Sequence, residues 1–294
     1  MRAMIFLLFF SNVLHSVNIA ITIDDYPLPD GPLFTVKERM QRFIEACAQY
    51  DCKAAFFCVG QHCNDRNDAS LFDTLHENGH YIANHSMNHK YLSKITLDEF
   101  EQEIVRAEET LHHYASPAAV RKWFRYPYLD YGTREAIDGS KEKLIGSFLV
   151  LQKLGYTEGH VTINTFDWHI NKRLKEAIEQ QHQIDYDALR SLYVSLIEEW
   201  TEHYIDLYKQ VTDQDITHTL LLHDNDLNAL YLPDILTMFK NRGWNIVSPE
   251  CAFQDISWRR GLLQKTDLLA TKPVTLNNQE IDRLLGEAGA IKAF

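Results

Sequence analysis

This chain is poor in cysteine, in basic charge and in long apolar runs, and each shortage narrows what it can be. Its five cysteines, at 47, 52, 58, 63 and 251, are odd in number and include no Cys-x-x-Cys pair. They spell out neither a disulfide framework nor a thiol redox motif, and they leave the compartment open. Cys58 lies in an apolar run and reads as core, while a single disulfide within 47–63 is compatible with the spacing. Lysine and arginine number 29 against 41 aspartates and glutamates, a net charge of −12. That argues against a nucleic-acid partner, because phosphate binding wants a basic face. The apolar run Ala3–Phe10 behind Arg2 falls well short of the ~20 residues that span a bilayer. It has the form of a short signal peptide, with a weak cleavage site at Leu14-His15-Ser16. Read so, residues 1–16 are a leader and the protein is secreted or periplasmic. Read as the start of the first strand, they leave it cytoplasmic.

No internal repeat, low-complexity segment or linker interrupts the 294 residues, and 45% of them are hydrophobic, enough for a sizeable core. Short apolar runs alternate with helical spacing. Strands are expected at 17–23, 53–59, 80–84, 120–124, 160–166, 218–222 and 245–247. Helices are expected at 35–50, 70–78, 96–114, 134–154, 186–210 and 232–242, the third opened by a capping box of Thr96 and Glu99. At least six alternations predict one α/β domain over 17–250, built on mostly parallel strands as a sheet or barrel. Residues 251–294 read as a C-terminal extension packed on that domain, with helices near 258–265 and 278–287. The stretch 170–215 is longer than a simple connection needs.

Polar residues of chemical interest stand at the carboxyl ends of these strands, where α/β folds build their sites. His85 and His89 are four apart, one helical turn, so both imidazoles can face one atom. With one carboxylate of Asp24-Asp25 they form the two-nitrogen, one-oxygen set that suits a catalytic divalent metal, zinc above all, and a second carboxylate remains to act as a base. Asn84 and Asn88 read as residues that cap the turn, with a ligand-orienting role as the alternative.

In order, the chain offers Thr22-Ile23-Asp24-Asp25, His85-Ser86-x-x-His89, Arg125-Tyr126-Pro127-Tyr128, Asp167-Trp168 and Leu221-Leu222-His223-Asp224. This series resembles the five short motifs of the polysaccharide deacetylase, or NodB-homology, family across residues 17–250. The resemblance implies a distorted (β/α) barrel, a divalent metal held by Asp25, His85 and His89, and a carbohydrate substrate bearing acetyl groups. It implies Asp24 as the general base for a water activated at the metal, with Arg125 orienting that base through a bidentate grip. His223 is implied as the general acid for the sugar nitrogen, paired with Asp167. The Tyr128 amide is implied as an oxyanion donor, and Trp168 with Leu221 as the apolar wall for the acetyl methyl.

Two departures are visible: the distance from Asp167 to His223 is long, with a helix inserted between the motifs, and the first motif differs. The family's first motif continues Gly-Pro, whereas here Tyr26-Pro27-Leu28-Pro29 follows, so Tyr26 is expected to narrow the space beside the metal and touch substrate. Removal of N-acetyl groups from a chitin-like or peptidoglycan glycan is the leading expectation. Carbohydrate O-acetyl ester hydrolysis and non-catalytic carbohydrate binding are the alternatives. A two-carboxylate glycosidase would not need the paired histidines.

Overall fold

Nine residues, Asn18–Tyr26, form strand β1, and burial on both of its faces marks it as the centre of a covered parallel sheet. The computed structural model describes residues 17–132, 141–212, 214–255 and 277–291. The leader, the first turns of the helix expected from 134 and the helix expected near 258–265 lie outside these residues. In chain order β1 is followed by α1 (Val36–Gln49), β2 (Ala54–Cys58), α2 (Gly60–Arg66), α3 (Ser70–Glu77), β3 (Tyr81–Asn84), α4 (Leu97–Tyr114) and β4 (Val120–Phe124). Then come α5 (Glu142–Lys153), β5 (Thr157–Glu158), α6 (Asp167–Glu179), α7 (Tyr186–Thr212), β6 (Thr217–His223), α8 (Asp226–Asn241), β7 (Asn245–Val247), α9 (Pro249–Gln254) and α10 (Asn278–Glu287).

The strands run in the order β5-β4-β3-β2-β1-β6, with β7 also paired to β1, and every ladder is parallel. Helices cover the sheet, and one main core of Ile, Leu, Phe and Tyr side chains lies between the two layers. α1 and α4 both begin with the reciprocal Thr–Glu capping box, the second as expected from Thr96 and Glu99.

The strand expected at 160–166 does not form; Ile163 makes one isolated bridge to Leu220. The reason is closure. Thr157 and Glu158 pair with β4, Gly159 N–H donates to Phe124 O, and Ile163 N–H donates to Thr219 O of β6. A single stretch thus joins both edges of the sheet and cannot stay in register with either, which gives the distorted barrel. Sequence periodicity also missed α2, a seven-residue helix that begins at Gly60.

Candidate active site

β1 delivers two carboxylates to one place by breaking its own regularity. Asp24 pairs in register with His223, and the β1–β2 ladder shifts between Ile23 and Tyr26. Asp25 adopts φ +66° there, a left-handed conformation that costs a non-glycine residue roughly 1–2 kcal/mol. The kink brings the Asp25 carboxylate to the same side as Asp24 and turns Tyr26 away. Tyr26 is fully buried, packed edge-on against Phe56 and Phe72, with its hydroxyl on Met40 Sδ. The expectation that Tyr26 contacts substrate is therefore corrected: its ring belongs to the core. Sequence reading also gave no sign of His62, whose Nδ1 lies 3.1 Å from the Asp25 carbonyl oxygen.

The two histidines meet through a turn rather than a helix, which corrects the helical reading of their spacing. Ser86 and His89 take φ +66° and +51°, and three side chains hold the turn. Asn84 Oδ1 accepts from Ser86 N–H, and Ser86 Oγ accepts from His89 N–H. Glu103 of α4, almost fully buried, accepts from the Asn88 backbone and side chain at 2.7 Å each. Both asparagines thus work on the turn, as expected of caps. Glu103 was not foreseen, because nothing local links it to a turn fifteen residues away.

His85 Nδ1 sits 2.9 Å from Arg125 O, and a carbonyl only accepts, so Nδ1 carries the proton and Nε2 presents a lone pair. That Nε2 lies 3.2 Å from His89 Nε2 and 3.4 Å from Asp25 Oδ1, and His89 Nε2 lies 3.1 Å from the same oxygen. A tetrahedral ion with ~2.0–2.1 Å bonds sets its ligand atoms about 3.3 Å apart, so the three donors match that triangle. Asp25 Oδ1 is buried without a hydrogen-bond partner, a cost that a cation would remove. Burial works to raise the Asp25 carboxyl, but the contacts to His85 and His89 carry it well below its ordinary range. Burial also holds His89 below the usual imidazole value. An ionised carboxylate and neutral imidazoles are the forms that bind metal.

Arg125, 1% exposed, fixes Asp24. Its Nη1 donates to both carboxylate oxygens at 2.9 and 3.1 Å, so the grip uses one nitrogen rather than the expected parallel fork. The other nitrogens serve Thr22 Oγ1, His160 O and Gly159 O, and the guanidinium lies over the Phe57 ring. Every donor is occupied by architecture or by Asp24.

On the opposite side His223 Nδ1 contacts Asp167 Oδ1 at 2.8 Å. Asp167 is the first residue of α6, fully buried, and also accepts from His223 N–H, Asn225 Nδ2, Asn228 Nδ2 and Thr165 Oγ1. Burial opposes charge on His223, yet Asp167 first, then Asp25 and Asp24, push it up to about 10. Leu221 lies two residues before His223 on the same strand face, buried, while Trp168, next to Asp167 in the chain, is 45% exposed. Tyr128 has φ +58°, its ring stacked at 3.7 Å on Tyr91 and set 4.4 Å from His89. The ring therefore stands over a metal-cradle histidine rather than in the core. A surface depression of about 590 Å³ around Tyr50 and Trp244 lies at the opposite end of β1 and carries none of this chemistry.

Part of the chain is similar to known proteins. Residues 13–142 match the family described as polysaccharide deacetylase. A peptidoglycan-N-acetylglucosamine deacetylase of Bacillus cereus is 31% identical over 119 residues, covering 40% of this chain and 39% of the relative. A chitooligosaccharide deacetylase of Sinorhizobium fredii is 29% identical over 111 residues, covering 38% and 46%. The chain thus aligns with less than half the length of these curated relatives. A solved CE4 family pseudoenzyme from Bacillus anthracis shares the fold at TM-score 0.56 and 15% identity, covering 81% of this chain and 66% of that one. Residues 13–142 are thus similar to the polysaccharide deacetylase family, and the closed sheet of parallel strands is the fold shared with that solved structure.

Proposed function

We propose that this protein is a zinc-dependent hydrolase that removes N-acetyl groups from an amino-sugar polymer or oligosaccharide, chitin-like or of the peptidoglycan type. The observation that carries this reading is the three-donor cradle of Asp25, His85 and His89 flanked by an Arg125-held carboxylate on one side and a carboxylate-held imidazolium on the other. A zinc ion held there would supply Lewis acidity to the acetyl carbonyl and to an attacking water. The chain's own groups do the rest. Asp24 takes the proton of the attacking water, and Arg125 keeps its oxygens aimed. The Tyr128 N–H donates to the oxyanion. His223, kept protonated by Asp167, gives its proton to the departing sugar nitrogen, which cannot leave as an anion. Leu221 and Trp168 wall the acetyl methyl. The leader-like pattern of residues 1–16 and the glycan-deacetylating activity of the bacterial relatives support a site of action outside the cytoplasm.

The test is acetate release from N-acetylglucosamine oligomers by metal-stripped protein, zinc-restored protein and zinc-restored Asp24→Asn. Release that returns with zinc and vanishes in the variant supports the reading. No release from protein that binds zinc stoichiometrically defeats it, and acetylated xylan then separates an ester hydrolase from a binding protein.

A further inference from the structure

The C-terminal helix α10 is not needed to close the barrel, yet it is fastened to the element that carries Asp167 and Trp168. On α6, His169 Nε2 lies 2.9 Å from Asp282 Oδ1 of α10. One turn on, Arg173 grips the same carboxylate with a parallel fork, Nε to Oδ1 and Nη2 to Oδ2, both at 2.7 Å. Three donors on one carboxylate form a geometry-specific clamp rather than a loose surface pair. Ile281 and Leu285 on either side of Asp282 are fully buried, so α10 is itself anchored. Its continuation is tied to the α6–α7 connection, with Asp185 N–H donating to Ala290 O and Ile184 bridging Ile291.

Trp168 sits between two fixed points. Asp167 before it is locked to His223, and His169 after it is locked to Asp282. Its indole stands edge-on to the His169 ring, centroids 5.5 Å apart and planes at 75°, while 45% of the residue stays exposed. An exposed tryptophan whose backbone is pinned on both sides is a pre-ordered contact surface, since little freedom remains to be lost on binding. Beside this junction a groove of about 410 Å³ runs between Phe166 and Asn277, Asn278 and Gln279 of the α10 end. Amide-bearing residues and an aromatic one lining the same groove suit a sugar, whose hydroxyls want amides and whose ring face wants an apolar neighbour.

We propose that Asp282 is a positioning residue for substrate binding: through His169 and Arg173 the C-terminal helix holds Trp168 at the mouth of the site. The proposal rests on the amino-sugar reading for its ligand, but not for its mechanics. It gives the C-terminal extension and the long segment between Asp167 and His223 one shared role, which is to build and brace one wall of the substrate cleft.

The test uses the full chain. Binding of N-acetylglucosamine oligomers is measured by calorimetry in an Asp24→Asn background, so that no turnover intervenes. Amide hydrogen exchange of residues 168–172 is followed on the same proteins without ligand. Asp282→Asn is expected to weaken binding by roughly three- to thirtyfold, to speed exchange in that first turn, and to add nothing when combined with Trp168→Ala. Faster exchange with unchanged affinity, or additive losses with Trp168→Ala, overturns the proposal. Should Asp282→Asn not fold, Arg173→Gln removes the fork from the other side and is judged by the same outcomes. If the oligomers do not bind the parent protein, the amino-sugar reading falls. Exchange then decides the clamp alone, and an unchanged rate overturns it.

Discussion

Replacing Asp167 by Asn tests the acid half of the site with a side chain of the same shape. Asp167 stands first among the groups that carry His223 up to about 10 against the opposing effect of burial. An uncharged amide in its place removes the largest raising influence and returns His223 to about 6.5, with Asp25 and Asp24 still working against burial. At pH 8 the protonated fraction falls to about one in thirty, so acetate release should drop at least ~30-fold. At pH 6 loss of protonation alone should cost less than about twofold. Release from N-acetylglucosamine oligomers, followed from about pH 6 to about pH 9, reads the difference. The parent protein keeps its acid across that range, and the variant loses it progressively. Parallel pH profiles would refute the argument, since they would mean that Asp167 does not set the charge of the proton donor. The same displacement has a stability side with a defined sign. A histidine raised on folding contributes stability that is complete below its unfolded value and is lost as pH climbs through the folded one. In the parent that loss runs from 6.5 to about 10, and urea midpoints over this window should fall for the parent while staying flatter for Asp167→Asn.

Glu103→Ala frees the Asn88 amide and lets the left-handed residues Ser86 and His89 relax, so zinc affinity should fall about 10–100-fold; competition with a chromogenic chelator measures it, and unchanged affinity would show that the turn holds itself. Arg39→Ala strips the partner from Asp224, both side chains being essentially buried and 2.8 Å apart, and should lower the unfolding free energy by about 3–5 kcal/mol. A urea-measured loss below about 1 kcal/mol would mean that the site readmits solvent. Zinc added to stripped protein at about a hundred times its Kd should stabilise by about 2.7 kcal/mol, and His85→Ala should abolish that shift in thermal melting.

The strand ends and the order of their polar residues were legible because buried strands leave apolar runs that stop where chemistry starts. What periodicity could not supply is direction. β1 is covered on both faces, so alternation says nothing about where Tyr26 points, and the backbone reversal at Asp25 decides it. The spacing of His85 and His89 was informative although its helical explanation was not, since a turn with two left-handed residues brings the same atoms together. Glu103, Tyr91, His62 and Asp282 act across the fold on residues far from them in sequence, and no local pattern announces such partners. The segment 160–166 has the composition of a strand, but the residues just before it are committed to β4 and Ile163 to β6.

Arg125 holds the carboxylate of Asp24, the base of the proposed mechanism, and it also fastens the stretch that closes the barrel, through Gly159 O and His160 O. Catalytic alignment and mechanical integrity of the seam therefore share one rivet. A transient opening of the seam releases the arginine, and with it the carboxylate, so any fluctuation that loosens the hoop also switches off the chemistry. For an engineer this position offers no trade between rigidity and rate. Bracing the seam elsewhere, at Ile163 against β6, would strengthen the fold while leaving the aim of Asp24 untouched.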